Sequence, residues 1–216
     1  MHFILLHSQY SLVSESTGLS LLAALLPAPV LVIASSTDLD LSKTQTVLQQ
    51  LGYQPDMLLY ADNFQSAQEM IAEHLPNLIL YHLTEASQIH FIGQMKRHNP
   101  NTPVVAVLKS ESTALIYSAI LSGANSYIQP QASFIQFAES LKIVLRGGAY
   151  IHAELAEHIL YQLTDKTCLK VTELQLLHLL SQQKPPVDIQ HQLQLTDYQM
   201  YAQVKQIYRK MLISSD

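Results

Sequence analysis

Short apolar runs alternate with amphipathic stretches through the middle of this chain. The runs are bounded by proline and polar residues, and they are too short to be helices. Runs of this kind are typical of strands that are buried on both faces of a parallel sheet. They predict strands at residues 30–34, 57–60, 78–81, 104–108 and 123–128.

The stretches that follow these runs carry apolar residues at helical spacing. They predict helices that begin near residues 41, 66, 89, 112 and 134. The last of these helices opens on Ser133, with Gln136 three residues later, which is the spacing of a capping box. Strands that alternate with helices in this way predict an α/β fold built on a doubly wound, five-stranded parallel sheet.

Two stretches do not fit this alternation. Residues 1–28 predict a short strand at 3–6 and an apolar, helix-like run at 19–26. An amphipathic helix over 14–26 would pack on its own chain or form a dimer contact. After residue 148 the pattern predicts a helix over 153–163, followed by a polar linker that ends at residue 168.

The last part of the chain predicts a small all-α unit. Thr172 with Gln175, and Thr196 with Gln199, each have the spacing of a capping box at the start of a helix. A short helix is predicted between them, at residues 187–193. A short helix, a brief turn and a longer helix have the spacing of a helix-turn-helix.

Composition and charge narrow the classes of protein that the chain can represent. With 216 residues, 48% hydrophobic and 13% charged, the chain can bury a sizeable core. Its single cysteine, Cys168, excludes an internal disulfide framework. The first basic residue is Lys43, and no run of apolar residues is long enough to span a membrane, so we expect a cytoplasmic protein with no membrane contact.

The net charge of −5 is distributed unevenly. Residues 1–168 carry 7 lysines and arginines against 13 acidic residues, whereas residues 169–216 carry 5 against 4. The acidic excess therefore belongs to the front of the chain. Neither part has the composition of a strong polyelectrolyte binder.

Four phrases of the sequence occur in the order and spacing of one protein family. They are Tyr-Ala-Asp-Asn at 60–63, Ser-Gly-Ala-Asn-Ser-Tyr-Ile at 122–128, Val-Leu-Arg-Gly-Gly-Ala-Tyr-Ile at 144–151 and Ile-Tyr-Arg-Lys-Met at 207–211. Together with Glu173, they make residues 30–213 resemble the NarL/LuxR/FixJ type of two-component response regulator. The resemblance implies a CheY-like receiver followed by a LuxR-type helix-turn-helix domain.

A receiver of this family transfers a phosphoryl group to an aspartate. The reaction needs a carboxylate nucleophile, two carboxylates for Mg²⁺, a hydroxyl group and a lysine. The matching positions hold Ser35 and Ser36 for the acidic pair, His82 for the acceptor, Leu108 for the hydroxyl, and Pro130 or Gln129 for the lysine. Since none of these residues carries the required group, we expect a degenerate receiver that does not depend on phosphorylation.

His82 is the one residue of this set with chemistry of its own. Histidine can accept a phosphoryl group or bind a metal ion. However, none of the ten histidines forms an H-x-x-x-H or a His/Cys cluster. We therefore expect His82 to be a polar residue at the rim of the degenerate pocket, and we expect no catalytic residue, metal or cofactor. Tyr127, at the position of the family's switch aromatic, is expected to pack in the core.

The resemblance also places a recognition helix near the C-terminus. Tyrosine and glutamine can reach base edges or phosphates, and the basic side chains can contact phosphates. The candidate DNA-binding residues are Tyr198, Gln199, Tyr201, Ala202, Gln203, Lys205, Arg209 and Lys210. The three basic residues also fit a second interpretation, a solvated helix end whose cations complement the helix dipole.

These interpretations lead to one hypothesis and one alternative. The hypothesis is a non-enzymatic, dimeric, DNA-binding regulator of transcription that resembles atypical regulators of the CsgD and VpsT kind. Its predicted parts are an extension at 1–28, a receiver-like domain at 29–147, a linker helix and linker at 148–168, and a helix-turn-helix domain at 169–216. The alternative is an adaptor that does not bind DNA and modulates another regulator through protein contact.

Overall fold

A computed structural model describes residues 29–34, 41–163 and 168–213 of the chain. The predicted N-terminal extension, with its strand at 3–6 and its helix at 19–26, lies outside the described residues. Ser35 and Ser36 also lie outside them, as does most of the predicted polar linker.

The described chain contains the predicted parallel sheet. Its strands are β1 (Val30–Ile33), β2 (Leu58–Ala61), β3 (Leu78–Leu83), β4 (Val104–Leu108) and β5 (Ser126–Ile128). They pair in the order β2-β1-β3-β4-β5, and every pairing is parallel. All six residues of the central strand β3 are buried. This strand runs two residues beyond its predicted end, so it includes His82.

Five helices cover the two faces of the sheet. They are α1 (Leu41–Gln50), α2 (Phe64–His74), α3 (Ile89–His98), α4 (Thr113–Leu121) and α5 (Phe134–Leu145). Apolar side chains of α1 and α5 pack on one face, and those of α2, α3 and α4 pack on the other. The predicted capping box at the start of α5 is present, since Ser133 and Gln136 bond each other's backbone N–H groups at 3.2 and 2.8 Å.

Four helices follow the sheet. They are α6 (Ala153–Gln162), α7 (Val171–Ser181), α8 (Pro186–Leu193) and α9 (Asp197–Ile213). The turn between α8 and α9 contains Gln194 in the left-handed conformation, with φ of 53°. Thr196 and Gln199 form the predicted capping box at the start of α9. A short helix, a tight turn and a longer helix are the elements of a helix-turn-helix.

The predicted capping box of Thr172 and Gln175 is wrong. The cap of helix α7 is Lys170, two residues before Thr172, and the N–H of Lys170 donates to the Glu173 carboxylate at 2.7 Å. The predicted packing of Val171 on Leu176 also fails, because Val171 is 72% exposed. The carboxylate of Glu173 takes this place because it also accepts a hydrogen bond from Lys210, at 2.6 Å, and is thereby held at the start of the helix.

One apolar cluster is continuous from the sheet into the C-terminal helices. It begins on the face covered by α2, α3 and α4, and it extends through Ala149, Leu155, Ile159 and Ile207. Helix α6 contacts both α4 and α7, and its inward side chains are fully buried. The segment that was predicted as a linker helix is thus part of the packed interior.

The chain lies close against α9 at Gly148. A Cβ atom at this position would lie 2.8 Å from the Tyr201 Cβ and 3.1 Å from the Ile143 Cγ2. The next residue, Ala149, donates its N–H to the Tyr201 carbonyl at 3.1 Å. Only glycine lets the backbone and α9 come this close, so Gly148 fixes the position of the helix.

We expect the substitution Gly148→Ala to destabilise the fold by about 1–3 kcal/mol, because the added methyl group overpacks this contact. Chemical unfolding measures the change. Gly93→Ala is the matched control, since Gly93 lies inside α3 and a Cβ there has its nearest neighbour at 3.6 Å. The control should be neutral or stabilising by up to about 1 kcal/mol, because alanine favours a helix interior. Equal effects of the two substitutions would contradict the prediction.

Candidate nucleic-acid interface

Helix α9 has a buried face that anchors it. Met200, Val204, Ile207 and Met211 recur at helical spacing and are all buried. Tyr208 is buried beside them, and its hydroxyl donates to the Tyr150 carbonyl at 2.8 Å. The buried face fixes which of the remaining side chains of α9 can meet a partner.

The opposite face of α9 is exposed and polar. Tyr198 is 63% exposed, Gln199 and Arg209 are exposed, and Ala202 is half-buried among them. Gln206 is also exposed here, although the sequence interpretation did not include it. Its position, four residues after Ala202 and seven after Gln199, is the signal that could have identified it.

Two of the predicted DNA-binding residues face the sheet domain instead. Tyr201 is half-buried and shares a cavity of about 310 Å³ with Tyr127 and Tyr150. Burial is the main cause that raises the pKa of Tyr201, with Asp197, Tyr150 and Glu139 adding to it. Lys205 lines a second cavity together with Lys96 of α3. Tyr201 and Lys205 are both half-buried, whereas Arg209, which also lines the second cavity, is exposed and stands at the border of the polar face.

Two more predicted residues are held inside the C-terminal unit. Lys210 pairs with Glu173 of α7, whose side chain is only 5% exposed, with 2.6 Å between the Nζ and Oε2 atoms. Gln203 is half-buried, and among the described residues its buried Oε1 atom has no hydrogen-bond partner. The structure thus does not bring the eight candidate residues onto one surface. Tyr198, Gln199, Ala202 and Arg209 share the exposed face.

The predicted acceptor position, His82, is buried. His82 is 8% exposed, and its Nε2 atom lies 3.4 Å from the Thr44 hydroxyl of α1. Leu108 is buried in the apolar cluster and is paired in register with Leu83 of β3, while Pro130 is half-buried. His82 is thus a buried strand residue in contact with α1, and not a residue on an open rim.

Tyr127 connects the receiver to the segment before α6. Its ring is almost fully buried, as predicted, and its hydroxyl is hydrogen-bonded to the ring Nδ1 of His152 and accepts the His152 N–H at 3.0 Å. Burial is the largest cause that raises the pKa of Tyr127 well above its usual value. His152 also lies 3.2 Å from the Gln129 amide nitrogen and 3.6 Å from the Glu154 carboxylate. The sequence interpretation missed His152, because no local pattern pairs it with Tyr127.

None of the helices that the structure describes is both long and apolar enough to cross a membrane. Within the described ranges, no three or more histidine, cysteine, aspartate or glutamate side chains are grouped so that they could hold a metal ion.

We expect the environment of His152 to make the stability of the fold depend on pH. Burial lowers the pKa of His152 below its usual 6.5, and the nearby Glu154 opposes this shift only in part. Between the folded-state pKa and about 6.5, the unfolded chain binds more protons than the folded chain. The contribution of His152 to the free energy of unfolding is therefore complete above about pH 6.5 and is lost as the pH falls towards the folded-state pKa. Unfolding free energies measured from pH 7.5 to 5 should therefore decline less steeply for His152→Gln than for the wild type. Identical slopes would contradict the prediction.

Comparison with known proteins shows the fold. No family model matches the sequence, and no curated protein matches it significantly. Among solved structures, the isolated REC domain of RcsB from Salmonella enterica serovar Typhimurium is 12% identical, with a TM-score of 0.51, covering 60% of this chain and 96% of that domain. A two-component response regulator of the LuxR family from Aurantimonas sp. SI85-9A1 is 12% identical, with a TM-score of 0.50, covering 65% of this chain and 100% of that one.

Both similarities extend over 60–65% of this chain and nearly the whole length of the other. At 12% sequence identity, these structures indicate a shared fold and do not indicate a shared activity. The described chain therefore has a CheY-like, doubly wound α/β fold, followed by helices that are consistent with a small helix-turn-helix domain.

Proposed function

We propose that the chain is a DNA-binding regulator of transcription whose receiver-like domain acts without phosphorylation. In this proposal residues 29–147 form the receiver-like domain, 148–168 the linker helix and linker, 169–216 the DNA-binding domain and 1–28 an extension. The protein acts in the cytoplasm as a homodimer, in the manner of the atypical regulators that its sequence resembles. The DNA-binding half and the phosphorylation-independent half rest on separate observations.

The exposed face of α9 carries the DNA-binding half of the proposal. A recognition helix enters the major groove with a row of side chains that can reach base edges and phosphates. Tyr198, Gln199, Gln206 and Arg209 provide such a row of exposed side chains on α9, with Arg209 at the border of the cavity against the sheet domain. Glutamine can bond adenine through two atoms, and an arginine can hold a phosphate.

The closed acceptor position supports the phosphorylation-independent half. A phosphoryl group on a receiver needs a carboxylate acceptor and a divalent cation held by oxygen ligands. At the acceptor position the strand presents the buried imidazole of His82, and Leu108 offers no hydroxyl group. Regulation then has to act through contacts between domains or subunits, because phosphate chemistry at this edge of the sheet lacks its acceptor.

We expect no phosphoryl transfer to the intact chain. Incubation with acetyl phosphate and Mg²⁺, followed by intact-mass measurement, should give the unmodified mass, because no carboxylate occupies the acceptor position. A typical receiver that carries an acceptor aspartate, treated in parallel, should gain a phosphoryl group and shows that the reagent is active. A stable phosphoryl adduct on this chain, abolished by His82→Ala, would contradict the proposal.

We expect DNA binding to be dominated by salt-sensitive contacts of the exposed face. Binding of promoter DNA should weaken as the salt concentration rises, and Arg209→Gln should reduce the slope of log K against log salt by about 1, since one phosphate contact is lost. The matched control is Lys142→Gln, which removes one positive charge from α5, where Lys142 pairs with Glu139 at 2.7 Å. The control should keep the wild-type slope.

The same titration tests the adaptor alternative. That alternative gains support from the cations of α9 that are not on the exposed face, since Lys205 faces the receiver and Lys210 pairs with Glu173. Absence of binding even at about 50 mM salt, where phosphate contacts are strongest, would reject the DNA-binding half. A stoichiometric protein partner recovered without DNA would then favour the adaptor.

A further inference from the structure

Three positively charged side chains line one cavity between α9 and the amino ends of strands β4 and β5. The cavity has a volume of about 470 Å³, and the three side chains are Lys96, Lys205 and Arg209. The rest of the lining is neutral: Pro100, Asn101, Ile120, Gly123, Ala124, Asn125, Tyr208 and Leu212. Among the described residues, no carboxylate lines this cavity, although the chain as a whole carries a net charge of −5.

Lys96 is a fixed positive charge in the wall of this cavity. Its ammonium group donates to the carbonyls of Pro100 and Thr102, at 2.7 and 2.9 Å, and to the Asn125 Oδ1 atom at 3.3 Å. These three neutral oxygens hold the group in place but do not neutralise its charge. Burial, followed by the positive charge of Lys205, lowers the pKa of Lys96 to about 8. The two lysines thus repel each other across the cavity.

Lys205 and Arg209 approach from the opposite side, on α9. They are four residues apart, so they project from the same face of the helix one turn from each other. The Lys205 Nζ atom lies near Gly147, at 4.0 Å from the position that a Cβ atom would occupy there. Lys205 also lines a neighbouring cavity, which shares Asn101 and Asn125 with the first. Amide side chains and two cations can therefore donate into one space.

We propose that this cavity binds a small phosphorylated anion with at least two negative charges, and that the bound anion holds α9 against the receiver. An anion would relieve the repulsion between Lys96 and Lys205, and charge-assisted hydrogen bonds from Lys205 and Arg209 would orient it. The volume is within the range of small-molecule sites. A DNA duplex does not fit, since the receiver forms one wall of the cavity.

The site has a consequence for regulation that rests on the proposed DNA-binding function. The anion is attracted by the charge of Lys96 on the receiver side and is bonded by Lys205 and Arg209 of α9, so it stabilises the arrangement in which Lys205 and Tyr201 face the receiver. It also competes for Arg209, which belongs to the exposed face. If the anion binds this arrangement more tightly than the DNA-bound one, it lowers the affinity of the chain for DNA. By linkage, DNA lowers the affinity for the anion by the same factor.

Calorimetric titration of the full chain with sodium pyrophosphate tests the site directly. The titration is run at constant ionic strength in sodium chloride, with EDTA to remove divalent cations. We expect saturable binding, weakened about tenfold or more by Lys205→Gln, since one charge-assisted contact is lost. Arg97→Gln is the matched control, because Arg97 is the exposed neighbour of Lys96 on α3 and does not line the cavity. It should leave the affinity within about twofold.

Further variants keep the test decisive. Lys96→Gln removes the charge on the receiver side but can disturb the loop that Lys96 holds, whereas Arg209→Gln changes an exposed position and should also weaken binding. A parallel titration with adenosine diphosphate separates two sources of the same chemistry. Tighter binding than that of pyrophosphate indicates a nucleotide, and equal binding indicates recognition of the phosphates alone. No binding of pyrophosphate, or equal binding by the wild type and Lys205→Gln, would overturn the proposed site.

A DNA titration separates this site from the proposed function. Pyrophosphate should weaken DNA binding more than sodium chloride does at equal ionic strength, and Lys96→Gln should abolish the difference. If the chain binds pyrophosphate but no DNA, the site stands and the DNA-binding function fails. If it binds DNA but not pyrophosphate, the function stands and the site is wrong.

Discussion

Residues 147–152 run from the last receiver helix to α6 and lie against α9, and this contact determines most of what the C-terminal unit can do. Gly148 permits the close approach to Tyr201, and the N–H of Ala149 donates to the Tyr201 carbonyl at 3.1 Å. Further along, the Tyr150 carbonyl accepts the Tyr208 hydroxyl, and His152 bonds Tyr127 of β5. The junction is therefore a set of specific contacts that sets the rotation of α9 about its own axis. That rotation decides which side chains are exposed.

Much of the fold could be predicted from the sequence, because the elements of a buried parallel sheet have strong local signals. The strand at Val104–Leu108 and the helix at Phe134–Leu145 lie where the apolar pattern places them. The start of α7 was misplaced, because two residue types with capping ability stand next to each other. Glu173 bonds the Lys170 N–H at the observed start of the helix and also bonds Lys210, which is 37 positions away. A partner so distant in the sequence leaves no trace in the local pattern.

The candidate site was less predictable than the fold for a related reason. The spacing of apolar residues in α9 indicates its buried face, and this prediction is independent of the neighbouring domain. Which of the other α9 side chains are exposed depends on where the sheet domain lies. Tyr201 and Lys205 follow the helical pattern of an exposed face, yet they line cavities against the receiver. His82 shows the same limit, since the length of its strand and its contact with Thr44 became clear only in the folded chain.

The ion pair between Lys210 and Glu173 joins the last turn of α9 to the first turn of α7. The same Glu173 carboxylate accepts the Lys170 N–H, so the end of one helix and the start of another depend on a single side chain. If the last turn of α9 frays, a buried carboxylate loses its cation, and such a loss is costly in a poorly solvated position. The two helix ends should therefore order and disorder together. We therefore expect α7 and α9 to behave as one cooperative unit, in which the tip of α9 resists the fraying that is usual at the end of a helix.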